Sequence, residues 1–242
     1  MTFQHDLFKG KTAVVTGGTQ GIGAGIARQF AALGARVIAA GLAPTDAQRS
    51  ALGPGIEVAA LDVASNDAVA ALFAPLDSLD MLVNCAGMIR RAAEHELEVF
   101  EQVIDVNLTG TMRACSAARP LLKASRGTIV NTASMLSFFG GGLVPAYSAS
   151  KGGVAQLTKS LALAYAQDGI RVNAVAPGWI ATPLTQALQD DEARSRAILE
   201  RTPLGRWGEP DDVAQAAVFL CSPAAAFITG TIVPVDGGYL VA

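Results

Sequence analysis

The chain has 242 residues, of which 51% are hydrophobic and 16% charged, and this composition excludes an intrinsically disordered protein. The formal net charge of −3 predicts no basic surface for nucleic acid. Three cysteines without a CxxC pair and two histidines argue against a disulfide framework and predict no metal site. The first residues lack the order of a secretory signal, and no run of about 18 apolar residues occurs, so we expect a cytoplasmic protein without a membrane partner.

Short apolar runs rich in Val and Ile alternate with longer amphipathic stretches along the whole chain. Continuous apolarity is typical of strands buried on both faces of a parallel sheet. Strand–helix–strand repetition implies right-handed crossovers, so we predict an α/β fold in one Rossmann-type domain over 1–242, with a doubly wound parallel sheet of about seven strands and helices on both faces. The predicted strands are 12–16, 35–41, 56–62, 81–84, 127–134, 170–177 and 231–238.

A glycine-rich turn, TGGTQGIG, follows the first predicted strand and opens the first predicted helix, which starts just after Gly21 and ends at Gly34. Glycines permit a tight turn and bring backbone N–H groups close to a pyrophosphate, which the helix N-terminus stabilises. An ordinary turn would also contain glycines, but the strand before, the helix after and the next strand are all present here. We therefore predict dinucleotide binding by Gly17, Thr19, Gln20, Gly21, Ile22 and Gly23.

The end of the second predicted strand bears on the choice between NAD and NADP. An Asp or Glu that binds the ribose is expected about 20 residues past the glycine turn, and Gly41 and Leu42 stand there instead. No Arg or Lys stands there, or at Gln20, to pair with a 2′-phosphate. The missing cations favour NAD as the cofactor, whereas the missing acid leaves NADP open.

Two further turns follow the third and fourth predicted strands, at the same end of the sheet as the glycine turn. Asp62, followed by Val63, is placed to accept a hydrogen bond from an adenine amino group or, alternatively, to cap the next helix, which begins after Ser65-Asn66-Asp67. Asn84, Ala86 and Gly87 form a turn of small residues, which suits a backbone beside a ribose or a plain turn.

Four polar residues form a pattern that carries the chemistry. Tyr147 and Lys151 are four residues apart at the start of a predicted helix that runs to about Asp168, so their side chains share one face. Ser134 ends the preceding strand, and Asn107 lies on the helix after Gly87. In this order, behind this glycine turn, they resemble the short-chain dehydrogenase/reductase family.

The resemblance covers the whole chain and implies roles for these residues. Tyr147 would carry the proton, Lys151 would clamp the ribose and tune the phenol, Ser134 would hold the reacting oxygen, and Asn107 would hold a water in a proton relay. One departure is Cys85, where the family usually has Asn. The residues implied beside the nicotinamide are Pro177, Gly178, Ile180 and Thr182.

Electrostatics supports the paired Tyr and Lys independently of the resemblance. A free tyrosine has a pKa of about 10, too high for an efficient base near neutrality. An ammonium about 4 Å away favours the phenolate by about 4 kcal/mol at an effective dielectric of about 20. We therefore expect Lys151 to lower the pKa of Tyr147, less so where burial disfavours the phenolate.

The least regular stretch, 178–210, contains a charged helix-like piece and is predicted to be a substrate flap over the carboxyl ends of the strands. This flap and the stretches around 88–91 and 133–138 resemble 2-deoxy-D-gluconate 3-dehydrogenases, gluconate 5-dehydrogenases and dehydrogenases of 2-keto-3-deoxy sugar acids. A sugar acid substrate is therefore expected. The candidate substrate contacts are Arg90, Ser134, Leu136, Tyr147 and Gln186. Arg90 would pair with the substrate carboxylate or, alternatively, be a solvated surface arginine. Further candidates, unless they pair with the acids of the flap, are Arg194, Arg196, Arg201 and Arg206.

Two other functions stay open at this point. A 3-oxoacyl-carrier-protein reductase would share every catalytic residue but would prefer NADPH. A non-enzymatic scaffold or regulator on the same fold commonly loses the Tyr or the Lys, and this chain retains both. The resemblance also implies a homotetramer.

Overall fold

Seven strands of the computed structural model, which describes residues 2–242, form the sheet. They are β1 (Thr12–Thr16), β2 (Arg36–Gly41), β3 (Ile56–Ala60), β4 (Met81–Asn84), β5 (Thr128–Thr132), β6 (Arg171–Pro177) and β7 (Ile232–Val235). All six neighbouring pairs are parallel, and the strand order is β3-β2-β1-β4-β5-β6-β7. The predicted Rossmann-type doubly wound sheet is therefore confirmed.

Helices cover both faces of this sheet. Their bounds are α1 (Gly21–Ala32), α2 (Asp46–Leu52), α3 (Asn66–Phe73), α4 (Leu97–Ile104), α5 (Gly110–Ser125), α6 (Pro145–Tyr165), α7 (Gln186–Gln189), α8 (Glu192–Glu200) and α9 (Pro210–Cys221). Successive strand residues point to opposite faces, so Val15 packs with α1 and α9 while Val14 packs with α3, α5 and α6. Both layers are apolar, which explains why the strands read as continuous hydrophobic runs.

Local signals explain where several of these helices begin. Ser65 accepts a hydrogen bond from the Ala68 backbone at the start of α3, as its position in the sequence predicts. A capping box of Thr45 and Gln48 starts α2, a short helix that the strand pattern did not predict.

The segment that carries Asn107 is a π-helical turn, Asp105–Thr109, between α4 and α5. The Thr111 hydroxyl, in the first turn of α5, donates to the carbonyl of Asn107 in this segment over 2.7 Å. The sequence predicted a regular helix at Asn107. Asn107 instead lies on a local widening of the helical backbone, a feature that is frequent at functional sites.

Parallel pairing brings the carboxyl ends of the central strands to one edge of the sheet. Thr16 of β1 is paired with Asn84 of β4, and Asn84 with Asn131 of β5. The glycine turn, the turn after Asn84 and the stretch after β5 therefore meet at this edge, where open α/β sheets bind ligands. Within residues 2–242, no helix is long and apolar enough to cross a membrane.

Candidate active site

Two cavities adjoin at the carboxyl edge of the sheet. The first, which we call the glycine-turn cleft, has a volume of about 380 Å³ and extends from Gly17 and Gly41 to Lys151. The second, which we call the Ser134 pocket, has a volume of about 310 Å³ and lies between the stretch after β5 and the segment after β6. The residues that line both cavities are Ile22, Thr132, Tyr147, Thr182 and Leu184. Tyr147 is thus at the junction of a long cleft and a separate pocket.

The glycine turn is closed so tightly that side chains do not fit. Gly17 has φ +64°, and a Cβ there would lie 2.5 Å from the Ala86 backbone nitrogen. A Cβ on Gly23 would lie 2.2 Å from the Gly17 carbonyl oxygen. The side chain of the N-cap residue, Gln20, does not cap α1 but accepts a hydrogen bond from Gln48. The first N–H groups of α1 are therefore free of a side-chain cap and suit a phosphate ligand.

The far end of the glycine-turn cleft has the residues of an adenosine site without an acid for the ribose. Gly41 is packed against Thr19, and a Cβ on Gly41 would lie 2.4 Å from the Thr19 hydroxyl. Asp62 lines the cleft and accepts a hydrogen bond from the Ala64 backbone over 2.9 Å. A glycine cradle followed by a long cleft fits a dinucleotide.

Tyr147 and Lys151 are positioned by the first turns of α6. Pro145 occupies the first turn of this helix, where its missing N–H costs no hydrogen bond. The Lys151 ammonium lies 5.6 Å from the centre of the Tyr147 ring and donates to the Thr132 carbonyl over 2.6 Å. Lys151 is only 4% exposed, so its charge is held beside the phenol by the strand end rather than by solvent.

Burial, rather than the ammonium, dominates the electrostatics of this pair. It raises the pKa of Tyr147, while a hydrogen bond with Ser134 lowers that pKa and the charge of Glu94 raises it. Burial also lowers the pKa of Lys151 to about 8. The expected lowering of the Tyr147 pKa by Lys151 was therefore wrong for this structure, because desolvation of the phenolate outweighs an ammonium whose nearest partner is the Thr132 carbonyl.

Ser134 and Asn107 differ in how free their polar atoms are. Ser134 lines the Ser134 pocket and accepts a hydrogen bond from the Leu136 backbone over 3.1 Å. Asn107 is fully buried: its amide donates to the Met88 carbonyl and to Ser150, and its side-chain oxygen accepts from the Met88 backbone. Both amide hydrogens are thus in use, so Asn107 fixes the backbone at Met88, and its part in a proton relay stays a prediction.

Most of the sequence-predicted site residues lie on one of the two cavities. The exceptions are informative. Asn84 is 3% exposed, and its amide donates to Asn131 over 2.9 Å, so it supports the turn from behind. Gln186 lines neither cavity and donates to Asp190. Along the two cavities, Pro177, Gly178 and Ile180 line only the Ser134 pocket, whereas Val63, Ala86 and Gly87 line only the glycine-turn cleft.

The two neighbouring arginines lie on different cavities. Arg90, the predicted substrate contact, lines the glycine-turn cleft, and Arg91 lines the Ser134 pocket. The prediction for Arg90 was made from its distance along the chain after Gly87. Distance along the chain does not distinguish adjacent residues whose side chains point to opposite sides.

Three aromatic residues on the Ser134 pocket were not predicted as site residues. Phe139 and Tyr239 stack with ring centres 6.2 Å apart, and Trp179 meets Tyr239 edge to face at 6.3 Å. Arg201 lies 4.2 Å above the Tyr239 ring. Tyr239 is 92 residues from Tyr147 in the chain, so no local pattern indicates that they face one pocket.

Among residues 2–242, no group of three or more His, Cys, Asp and Glu side chains could hold a metal ion. Cys85, the departure from the family pattern, lines the glycine-turn cleft and accepts a hydrogen bond from the Thr132 hydroxyl over 3.1 Å. Burial raises the pKa of this thiol to about 11, so it is uncharged at neutral pH.

Comparisons with known proteins agree with this geometry. A family model described as enoyl-(acyl carrier protein) reductase matches residues 17–240. The 2-dehydro-3-deoxy-D-gluconate 5-dehydrogenase of Bacillus subtilis is 44% identical over 252 residues, which cover 99% of each chain. A 3-oxoacyl-[acyl-carrier-protein] reductase of Chlamydia trachomatis is 38% identical over 245 residues, 96% of this chain and 98% of that protein.

A solved structure extends the likeness to three dimensions. A crystal structure from Agrobacterium tumefaciens, described as a 2-deoxy-D-gluconate 3-dehydrogenase with bound NADP, superimposes with a TM-score of 0.91. It is 43% identical and the match covers 99% of this chain and 100% of the other. The resemblance seen in the sequence is confirmed: the chain belongs to the short-chain dehydrogenase/reductase family and is an NAD(P)-dependent oxidoreductase that acts on CH–OH groups.

Proposed function

We propose that this protein transfers a hydride between the nicotinamide of NAD and a secondary hydroxyl or ketone carbon of a sugar acid. The observation that carries the proposal is the position of Tyr147, at the junction of the glycine-turn cleft and the Ser134 pocket. A proton-exchanging group must lie between cofactor and substrate, because the hydride and the proton go to the carbon and the oxygen of the same bond.

Tyr147, Ser134 and Lys151 would each have a separate role in the proton exchange. Tyr147 gives a proton to the substrate oxygen in ketone reduction and takes it back in alcohol oxidation. Its raised pKa keeps the phenol protonated at neutral pH, which suits the donating direction. Ser134 orients the same oxygen from the pocket wall, and Lys151 keeps a positive charge beside the phenol.

The cofactor would be held by the glycine turn, the strand ends and Lys151. Gly17, Gly23 and the start of α1 would bind the diphosphate, and Asp62 with Val63 would contact the adenine. When bound, the nicotinamide accepts or supplies the hydride. Thr182 lines both cavities and would contact the nicotinamide from the segment after β6.

A sugar acid is proposed as the substrate because of Arg91 and the relatives. The Bacillus subtilis relative acts, by its name, on 2-dehydro-3-deoxy-D-gluconate. Arg91 lines the Ser134 pocket and, within residues 2–242, takes part in no ion pair. The flap arginines, by contrast, are in use: Arg194, Arg196 and Arg206 pair with Asp191, Glu192 and Asp212, and Arg201 lies over the Tyr239 ring and donates to its hydroxyl. Arg91 is therefore the arginine proposed to bind the substrate carboxylate.

Replacement of Arg91, compared with replacement of Arg90, tests the proposed contact with the substrate carboxylate. We expect Arg91→Ala to raise the KM for 2-dehydro-3-deoxy-D-gluconate by about tenfold or more, the effect of one charged hydrogen bond. The uncharged comparison is galactitol, the polyol in the name of a Cereibacter sphaeroides relative that is 41% identical over 247 residues, and its KM should change little. Arg90→Ala is the matched control, since Arg90 lines the other cavity. Steady-state kinetics with both substrates checks the prediction, and equal effects of the two variants on the sugar acid would remove Arg91 from this role.

The cofactor preference for NAD is proposed from the charges along the cleft. The cationic residues that line it are Arg90 and Lys151, and both lie away from the Gly41 end. Leu42 is 72% exposed at that end, where a 2′-phosphate would need a cation. The Agrobacterium structure contains NADP, so the choice in this chain is decided by kcat/KM with each cofactor.

A substrate panel with both cofactors tests the proposed function as a whole. We expect the highest kcat/KM with NAD and a 2-keto-3-deoxy or 2-deoxy sugar acid, among aldonates, uronates and polyols. The Chlamydia relative makes acetoacetyl-carrier-protein reduction with NADPH the other activity to assay. A clear preference for that pair would contradict the proposal.

The segment 178–210 is proposed to act as a substrate flap on a single catalytic domain. Its residues Trp179, Leu184 and Thr185 line the Ser134 pocket, and its helix α8 follows them in the chain, before α9. We further propose a homotetramer, which light scattering in solution would test. Large apolar side chains exposed on α4, α6 and the C-terminus, Leu97, Leu163 and Val241, are consistent with contacts between copies.

A further inference from the structure

Glu94 is a buried acid to which neither the resemblance nor the proposed mechanism gives a role. It lies in a 3₁₀ turn, Ala93–His95, between the arginine pair and α4, and is 1% exposed. Its neighbours in the sequence on both sides are exposed. A lone charge with so little access to water needs strong partners, because an unpaired buried carboxylate is costly.

Both carboxylate oxygens of Glu94 accept a backbone hydrogen bond, and they do so from two distant segments. One oxygen accepts from the Arg90 N–H over 2.8 Å, and the other accepts from the Tyr147 N–H over 2.8 Å. Tyr147 is 53 residues away, in the first turn of α6. The carboxylate therefore occupies the position that an N-cap side chain would take, and Val144, the residue at the N-cap, supplies none.

Two further contacts join the turn of Glu94 to the loop before α6. Ala92 donates to the Leu143 carbonyl over 2.7 Å, and the His95 ring lies 3.0 Å from the Gly142 carbonyl. These contacts hold the loop before α6 against the turn of Glu94. Of these contacts among residues 2–242, only those of the Glu94 carboxylate reach both Tyr147 and the arginine turn.

We propose that Glu94 is a positioning residue, whose carboxylate bridges the Arg90 and Tyr147 main chains and so sets the distance between the arginine turn and the phenol. The inference rests on the proposed function, in which Arg91 binds the acid group of the substrate and Tyr147 exchanges its proton. A substrate held at its carboxylate presents its reacting carbon to Tyr147 only if these two points keep a fixed separation. Glu94 would thereby favour one position of the oxidised carbon relative to the acid group.

The negative charge of Glu94 gives the test a readout that a merely structural role would not move. This charge raises the pKa of the Tyr147 phenol, so its removal lowers that pKa. Alcohol oxidation needs the phenolate, and its kcat therefore rises with pH as the phenol loses its proton. The Glu94 variants leave the other groups near the phenol unchanged: Ser134, Cys85, Lys151, Arg90, Arg91 and His95, with the exposed Glu98 and Glu101 on α4.

Glu94→Gln removes the charge but keeps the size of the side chain. Its amide has one acceptor oxygen, so it can bridge only one of the two N–H groups. With 2-dehydro-3-deoxy-D-gluconate and NAD, we expect the rising limb of the kcat profile to move to lower pH. We also expect the KM for this sugar acid to rise about tenfold, the equivalent of about 1.4 kcal/mol. The KM for galactitol, which has no carboxylate, should rise less. Glu98→Gln, which removes an exposed charge on α4, should match the wild type.

Glu94→Asp distinguishes the effect of the carboxylate's position from the effect of its charge, and it provides the test if Glu94→Gln does not fold. The charge remains but the reach is one methylene shorter, so we expect a raised sugar-acid KM and an unshifted pH limb. A Glu94→Gln enzyme with a wild-type pH profile and KM, or one that only melts at a lower temperature, would overturn the inference. Tyr147→Phe, measured in parallel, distinguishes failure of this inference from failure of the proposed function: near-normal turnover in that variant would overturn the proposed function itself.

Discussion

Tyr147→Phe is expected to lower kcat by about 10²–10⁴-fold, the contribution typical of a positioned general acid or base. The substitution removes only the hydroxyl, and the ring continues to fill the junction of the two cavities. Hydride transfer without a proton partner would leave charge on the substrate oxygen, with Ser134 as the remaining donor. Cofactor binding should persist, because the glycine turn is untouched. Steady-state turnover and the Kd for NADH measure the two expectations separately.

Tyr165→Phe is the matched control for this loss. Tyr165 lies at the other end of α6, is 3% exposed and packs in the core beneath Arg119. Removal of its hydroxyl should leave turnover close to that of the wild type. Near-normal turnover in Tyr147→Phe, by contrast, would show that the proton is exchanged elsewhere and would refute the proposed role.

Gly23→Ala is expected to weaken the binding of NAD and NADP by about 10²-fold or more. The new Cβ would lie 2.2 Å from the Gly17 carbonyl oxygen, a distance that a backbone atom can relieve only if the turn opens. An opened turn moves the N–H groups at the start of α1 away from the diphosphate, and a displacement of about 1 Å can cost this much. Isothermal titration with each dinucleotide measures the effect. The free energy of unfolding should fall as well, by about 1–3 kcal/mol.

Gly152→Ala provides the comparison, because a Cβ at Gly152 meets no atom of the described residues within 4 Å. It lies in α6, one residue after Lys151, where Ala is the better helix former by about 1 kcal/mol. We expect unchanged Kd values and equal or higher stability. Retained affinity in Gly23→Ala would mean that the glycine turn does not bind the diphosphate.

Strand periodicity and local caps were sufficient to predict the framework of this protein. The run 12–16 coincides with β1 and the run 81–84 with β4, and the other five runs extend beyond the strands by one to three residues at an end. Such overshoot is expected, since turn residues next to a buried strand can be apolar too. The pair Tyr147 and Lys151 was predictable because helical spacing alone brings it to one face.

What the sequence did not predict depends on contacts between distant segments. Asn84 was expected beside a ligand, but its partner Asn131 lies 47 residues away and draws the amide into the interior. The pKa of Tyr147 follows from how deeply the phenol is buried, which no spacing reveals. Arg90 and Arg91 line different cavities although they are adjacent in the chain, and Glu94 is recognisable only once the loop and α6 are seen together.

The base of the proposed flap, 178–210, has a consequence for how substrate range can change. Ala181 donates to the Gly208 carbonyl over 2.8 Å, and Gly208 donates to the Trp179 carbonyl over 2.9 Å, so the chain leaves and re-enters the sheet edge at one point. A segment closed in this way can be lengthened, shortened or exchanged between Gln186 and Trp207, beyond Thr182, without shifting the register of β6 or the start of α9. New pockets can thus arise by replacement of one modular insert, while the redox machinery is inherited intact.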